Sequence, residues 1–257
     1  MIVTPDQVIA FSLIIARIGG VLQLAPVFNS KEIFAMAKLA MAFWIATLIM
    51  FVIPLPPHMP QGVVLFALAI ITELLIGAMM GFAMQLFVIG IEFAGELMDT
   101  QAGMSAASAL DPSSGNNTTI LSRLTRWISI VIFLIIGGHH VVLSALYQSF
   151  VLCPIGSPIN FAGGTQLLMQ LGGAIFGVAI QIAAPILLVM LLMDFGFGML
   201  SKIAPQVNVF QLSFQVKPIV AVFVLLTVSA GMVGIIYGLL EKITTLLLEL
   251  MMAIQIK

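Results

Sequence analysis

Charged residues are scarce in this sequence. Only 9 Lys or Arg and 10 Asp or Glu occur among 257 residues, so 7% of the chain is charged. A typical soluble domain is about 25% charged, because polar groups must cover its surface. The shortage excludes an ordinary soluble enzyme, a nucleic-acid-binding protein with a basic patch and a disordered chain. With 61% hydrophobic residues, the chain is predicted to be an integral membrane protein or a subunit buried in a large apolar assembly.

Cysteine is nearly absent, and the motifs of common catalytic centres are missing. Cys153 is the single cysteine, which excludes an intramolecular disulfide and a CxxC metal site, and it is predicted to be a small packed residue. No GxSxG, HExxH, Walker A or GxGxxG motif occurs. His139 and His140 are adjacent, and adjacent helical positions diverge by about 100°, so they are predicted to be packing or interfacial residues. We therefore predict a protein that is not an enzyme and that has no metal site or cofactor.

Long hydrophobic runs dominate the chain. A helix that crosses a bilayer needs about 20 mostly apolar residues. Proline-rich joints separate several of the runs, because proline lacks the N–H that a helix needs. The pattern predicts an all-α, multi-span membrane protein with these six spans: Val8–Phe28, Leu39–Ile53, Val63–Ile91, Trp127–Val151, Leu171–Met193 and Ile219–Leu240. The second is short unless it begins near Ile33, and the third and fourth are long enough to be tilted or broken.

Three GxxxG pairs lie within these runs, a spacing that permits close helix packing but also arises by chance. They are Gly77/Gly81, Gly173/Gly177 and Gly234/Gly238.

A few ionisable residues fall inside or beside the hydrophobic runs, where an unpaired charge is costly. Arg17 is expected to reach an acid or a neighbouring subunit. Glu73 and Asp194 are expected either to have buried partners or to line a conduit. Together with Lys202, these three residues are our candidates for polar contacts between subunits.

The segment 92–119 differs from the rest of the chain because it is acidic and then small and polar. Glu92, Glu96 and Asp99 fall within about 60° of one another on a helix, and Gln101 follows them. Repulsion between these acids calls for water or cations nearby, so the stripe is either a solvated helix end or the wall of an aqueous passage. A metal site is less favoured, because no His or Cys lies near. These four residues are our candidates for a pore lining or a polar network.

A turn-forming segment follows the acidic stripe. Asp111-Pro112 ends any helix, and the next five residues, 113–117, favour turns. In a hydrocarbon environment such a segment must face water or be buried in protein. It is either a plain surface loop or a flexible loop that lies in a pore.

Several short segments, in this order and spacing, resemble one protein family. The residues that carry the resemblance are Arg17, Ala25-Pro26, Lys38-Leu39-Ala40, Ile76-Gly77, Gly81-Phe82, Ala94-Gly95-Glu96, Gln101, Gly103, Ser105, Asp111-Pro112, Gly138-His139, Ser149-Phe150, Pro154-Ile155-Gly156, Ala204-Pro205-Gln206, Asn208 and Phe210. They resemble the FliR/SctT/SpaR family, the export-gate subunits of type III secretion. One departure is Gln215, where the family usually has proline, with Pro218 displaced.

The resemblance implies a non-enzymatic subunit of a flagellar export gate through which unfolded proteins cross the bacterial inner membrane. Its helical hairpins would pack with FliP-like and FliQ-like subunits in the basal body, partly on the periplasmic side, with an FlhB-like protein near the cytoplasmic entrance. Residues 1–160 would resemble a FliP-like protein. Residues 165–257 would resemble a FliQ-like hairpin, formed by Thr165–Lys202 and Val209–Leu250. No nucleic acid is expected as a partner.

The resemblance also implies a pore-plugging loop around Asp111-Pro112. The residues assigned to this loop are Ser105, Ala106, Ala107, Ser108, Ala109, Leu110, Asp111, Pro112, Ser113, Ser114, Gly115, Asn116, Asn117, Thr118 and Thr119.

Three alternatives stay open at the level of the sequence. A secondary transporter of a small solute would also carry intramembrane acids and glycine-broken helices, but it predicts an inverted repeat that this sequence does not show. A membrane scaffold without a passage predicts that the acidic stripe and the loop tolerate substitution. A gate subunit of virulence-type secretion is the third, and overall resemblance favours the flagellar system.

Overall fold

Long α-helices make up nearly all of the described chain. The computed structural model describes residues 5–26, 28, 33–53, 60, 62–105, 119–157 and 159–255. These residues form eight helices and no strand beyond an isolated bridge between Ile159 and Gln255. The helices are α1 (Pro5–Leu24), α2 (Ala35–Val52), α3 (Val63–Ala102), α4 (Ile120–Ile135), α5 (Gly138–Leu152), α6 (Phe161–Ile203), α7 (Val209–Glu241) and α8 (Ile243–Ile254).

The predicted all-α, multi-span fold is confirmed. Helices α1, α2, α3 and α6 and the run Val209–Ile254 are long and apolar enough to cross a membrane, and α4 with α5 makes a sixth candidate if the two count as one span. Such segments remove their backbone polar groups from the surroundings by hydrogen bonding within the helix, as a bilayer requires.

One predicted span consists of two helices. The run Trp127–Val151 is broken between α4 and α5 at Ile136 and Gly137, and Gly137 has a φ of 73°. Glycine adopts this left-handed conformation without steric cost, so the chain turns there although the hydropathy stays high. In contrast, α3 extends past Ile91 to Ala102, so the acidic stripe does lie on the continuation of an apolar helix.

The proline-rich joints coincide with helix ends. Helices α2, α5 and α6 end at Val52, Leu152 and Ile203, just before the three proline-containing joints. Residues 54–59 and 158 of those joints lie outside the described residues. The displaced Pro218 lies inside α7 rather than at its start.

The chain divides into two compact units, and α3, α6 and α7 each contribute residues to both. Unit 1 comprises Met1–Phe87, Gly137–Gly172 and Glu241–Lys257. In it, α1 packs on α2 and α5 packs on α8. The amide of Asn160 donates to the carbonyl oxygen of Ile254 at 2.8 Å, which fastens the end of α8 to the segment before α6.

Small residues bring α1 and α3 close together in unit 1. A Cβ added at Gly77 would collide with the carbonyl oxygen of Arg17, and one at Gly81 would lie 2.8 Å from the carbonyl oxygen of Val21. A Cβ at Gly20 would likewise collide with the α3 backbone at Leu74. The Gly77/Gly81 pair therefore permits a close helix crossing. The residues of the other two GxxxG pairs have nothing within 4 Å of an added Cβ among the described residues.

This contrast predicts opposite signs for the same substitution. Gly77→Ala should destabilise the chain by about 1–3 kcal/mol, because backbone atoms cannot yield to the added methyl group. Gly173→Ala, in open space, should be neutral or stabilising by up to about 1 kcal/mol, because alanine favours the helix. Thermal unfolding of the full chain in detergent micelles measures both. Equal effects of the two variants would contradict the close-packing assignment.

Unit 2 comprises Val88–Ile136 and Gly173–Leu240. The rings of Phe93 and Phe176 meet edge to face with centroids 5.4 Å apart, and Gly90 lies against Ile175, so α3 and α6 pack closely. Large apolar side chains on α6 and α7 are nonetheless more than half exposed. They include Leu188, Leu191, Leu192, Phe195, Phe223 and Leu226. Such a surface is suited to lipid or to other apolar subunits.

Candidate functional site

The end of α3 is closed by backbone hydrogen bonds around a left-handed glycine. Gly103 has a φ of 75°, its amide donates to the carbonyl oxygen of Thr100 at 3.2 Å, and the amide of Met104 donates to that of Asp99 at 3.0 Å. This is the Schellman arrangement, in which a glycine just past the helix lets the chain double back on the last turn. Gly103 therefore fixes the direction in which the chain leaves α3.

Asp99 also holds the start of α4 through its side chain. Its Oδ2 atom accepts a hydrogen bond from the backbone amide of Ser122 at 2.9 Å, and the residue is completely buried. The first amides of a helix have no partner within the helix and carry a partial positive charge, so a carboxylate there is favourable. Thr119 occupies the N-cap position but makes no side-chain capping bond, and its Oγ1 is buried without a partner among the described residues. Asp99 thus does for α4 what the N-cap residue usually does.

Further contacts fasten the same parts of α3 and α4. A Cβ at Gly95 would collide with the backbone of Ser122, and the Ser122 hydroxyl donates to the carbonyl oxygen of Glu92 at 3.2 Å. Arg126 forms a partly exposed ion pair with Glu92, with 3.5 Å between nitrogen and oxygen. We call Glu92, Gly95, Asp99, Ser122 and Arg126 the α3–α4 corner.

The structure divides the acidic stripe into two groups. Asp99 is buried and Glu92 is paired, whereas Glu96 and Gln101 are exposed. The expected repulsion is therefore relieved by an amide and a guanidinium within the chain. A pore-lining role for Glu92, Glu96, Asp99 and Gln101 stays a prediction.

The α3–α4 corner joins the two ends of the predicted plug segment. Ser105 and Thr119 are described, whereas Ala106–Thr118 lie outside the described residues. The corner brings together residues 23 positions apart in sequence, Asp99 and Ser122. The plug role of this segment stays a prediction.

A second polar cluster is buried in unit 1. Arg17 on α1 forms an ion pair with Glu73 on α3, and the two side chains are 0% and 2% exposed. Nη1 of Arg17 also donates to the carbonyl oxygen of Ser149 at 2.9 Å, and the guanidinium lies 4.2 Å from the centre of the Phe150 ring. The free oxygen of Glu73 accepts from the amide of Gly156 at 3.4 Å. The cluster therefore fastens α1, α3 and the end of α5.

Arg17 and Glu73 are paired within the chain, and a role for them in contacts between subunits stays a prediction. Their side chains bond to each other within the chain, and almost none of their surface is left for another subunit. Arg17 and Glu73 lie next to each other because a charge in an apolar interior needs a counter-charge close by. Nη2 of Arg17 has no partner among the described residues.

Cys153 lies beside this cluster, directly after α5. It is 2% exposed, and its Sγ is 3.7 Å from the carbonyl oxygen of Met251 on α8. Burial raises the pKa of the Cys153 thiol, Arg17 opposes that rise and Glu73 adds to it. A protonated, buried thiol is unreactive, which agrees with the packing role expected for it.

The remaining predicted polar residues, Asp194 and Lys202, lie on the part of α6 that belongs to unit 2. Lys217 forms an ion pair with Asp194, whose side chain is 47% exposed, whereas Lys202 near the end of α6 is exposed. The pair partly neutralises Asp194 on an otherwise apolar surface. A role for Asp194 and Lys202 between subunits stays a prediction. The part of the chain that the structure describes contains no cluster of three or more potential metal ligands.

The sequence identified Asp99, Arg17 and Glu73 as candidates, but it did not identify the residues that they contact. Ser122, Ser149 and Gly156 contribute a backbone amide or carbonyl group, which no side-chain pattern identifies. Gly103 carried a signal, since a glycine after a helical run often marks a left-handed helix end.

Fold and site together define a helical membrane protein with a buried ion pair and a buried carboxylate that holds the start of α4. The family described as bacterial export proteins, family 1, matches residues 8–243. The chain therefore belongs to this family.

Named relatives extend the comparison. The chain is 32% identical to the flagellar biosynthetic protein FliR of Pectobacterium carotovorum subsp. carotovorum over 214 residues, which cover 81% of this chain and 80% of the relative. It is 25% identical to FliR of Bacillus subtilis (strain 168) over 245 residues, covering 94% and 93% of the two chains. The surface presentation of antigens protein SpaR of Shigella sonnei is 29% identical over 158 residues, or 62% of this chain and 61% of the relative.

Proposed function

We propose that this chain is a non-enzymatic core subunit of the flagellar type III export gate. The observation that carries the proposal is the family match over residues 8–243, together with FliR relatives that align along most of their length. The SpaR relative aligns over a shorter part, which favours the flagellar system over the virulence-type system. The gate would conduct unfolded flagellar proteins across the bacterial inner membrane.

The α3–α4 corner supports a role for segment 105–119 in closing the gate. A segment rich in Ser, Ala, Asn and Thr can occupy a polar passage and leave it at low cost, whereas its ends must stay fixed to return it to the same place. Asp99 of the corner and Gly103 at the end of α3 supply those fixed ends. A closed gate must stop ions from leaking while no substrate passes.

The exposed apolar surfaces support assembly with other helical subunits. We propose FliP-like and FliQ-like proteins as stable partners, an FlhB-like protein near the cytoplasmic entrance and unfolded export substrates as transient ones. Residues 1–160 would take a FliP-like place in the complex and residues 165–257 a FliQ-like place. The assembly would belong to the flagellar basal body, with part of it on the periplasmic side.

Co-expression with FliP-like and FliQ-like proteins of the same cell tests the assembly. Native mass spectrometry of the purified membrane fraction should show a mixed complex of defined mass that contains this chain. A chain that purifies alone or only with itself would contradict the proposal. Solute uptake by the purified chain alone would favour a secondary transporter instead.

A further inference from the structure

We infer that Asp99 is a positioning residue that fixes both ends of segment 105–119 at one point. Its backbone carbonyl oxygen accepts the amide of Met104 where the chain leaves α3, and its carboxylate accepts the amide of Ser122 where α4 begins. The segment therefore departs from and returns to a single residue. Its significance for gating rests on the function proposed above, whereas the anchoring itself does not.

The carboxylate of Asp99 is buried, and the described residues offer it few hydrogen-bond donors. The residue is 0% exposed, and its Oδ1 atom has no partner among the described residues, so the bond from Ser122 is the one that this part of the chain offers. A buried carboxylate is costly unless it is hydrogen-bonded. The carboxylate and the start of α4 therefore stabilise each other, since the helix offers both a free amide and a partial positive charge.

Close packing at Gly95 places the Ser122 amide within reach of the Asp99 carboxylate. The backbone of Ser122 lies so close to Gly95 that no side chain fits between them. This contact sets the distance between α3 and α4, one helical turn before Asp99. The position of Ser122 relative to Asp99 thus follows from backbone packing, and the carboxylate completes it.

Hydrogen exchange measured by mass spectrometry on the full chain in lipid nanodiscs tests the anchor. Asp99→Ala should make the Ser122 amide exchange roughly ten- to hundredfold faster, as expected for loss of a bond to a charged group. Asp99→Asn keeps an acceptor and should give a smaller increase. Exchange at Gly103 and Met104 should stay unchanged, because backbone carbonyls hold those amides.

Glu96→Ala is the matched control, because it removes a carboxylate one turn earlier on α3 from an exposed position. Its exchange pattern should equal that of the unmodified chain. Faster exchange along all of α3 and α4 in Asp99→Ala would reveal general unfolding, and the near-isosteric Asp99→Asn then decides whether the effect is local. Exchange at Ser122 in Asp99→Ala equal to that in Glu96→Ala would overturn the anchor.

The link to gating is tested separately in the assembled gate. If the anchor exists and the segment closes the passage, Asp99→Ala should raise ion leak and Glu96→Ala should not. Faster exchange at Ser122 without any leak would overturn the gating role of the segment while supporting the anchor. Unchanged exchange would overturn the anchor whatever the leak.

Discussion

Replacement of Glu73 by leucine is expected to destabilise unit 1 by about 3–5 kcal/mol, because Arg17 would remain buried without a counter-charge. The bond from Arg17 to the Ser149 carbonyl and the contact with the Phe150 ring would persist, but neither neutralises the guanidinium. Equilibrium unfolding of the full chain in mixed micelles measures the effect. No other charged pair among the described residues is buried to the same degree.

Two further variants separate loss of pairing from loss of packing. The double variant Arg17→Met/Glu73→Leu should recover most of the stability, since an apolar pair of similar volume often replaces a buried ion pair at little cost. The Ser149 carbonyl would keep the amide of Cys153 as a donor at 2.9 Å. Asp194→Asn, at a half-exposed pair, should cost no more than about 1 kcal/mol. A double variant as unstable as Glu73→Leu would contradict the ion-pair explanation.

Hydropathy predicted the helices well because each spans a long, uniform run. The same uniformity left open where the long run Trp127–Val151 breaks, because no charge or proline interrupts the sequence at Ile136 and Gly137. The doublet Gly137-Gly138 was the available signal, and only the positive φ of Gly137 shows which residue turns. Composition is therefore enough to predict that these segments are helical, whereas the position of a break depends on the backbone conformation of one residue.

The polar residues show a different limit of the sequence. The cost of a charge in an apolar run predicted that Arg17 needs a partner, but 56 positions separate it from Glu73, and only the crossing of α1 and α3 selects that acid. Periodicity placed Asp99 on the same helical face as Glu92 and Glu96, yet only Asp99 is covered by the start of α4. Angular position defines which residues share a face, and tertiary packing decides what lies against it.

Deletion of Ser113–Asn117 is expected to raise the ion permeability of the assembled gate severalfold. The deletion removes the polar, turn-forming middle of the segment and leaves Asp99, Gly103 and Ser122 in place, so both ends remain anchored while the part proposed to fill the passage is shortened. Ion flux through proteoliposomes that contain the complete gate measures the change.

A same-length replacement of residues 113–117 by a Gly-Ser segment is the matched control. It keeps the length and flexibility of the segment, so flux should stay near that of the unmodified gate if bulk in the passage is what closes it. Unchanged flux in the deletion variant would contradict the plug. A leak in both variants would show instead that the side chains of residues 113–117, and not the length of the segment, seal the passage.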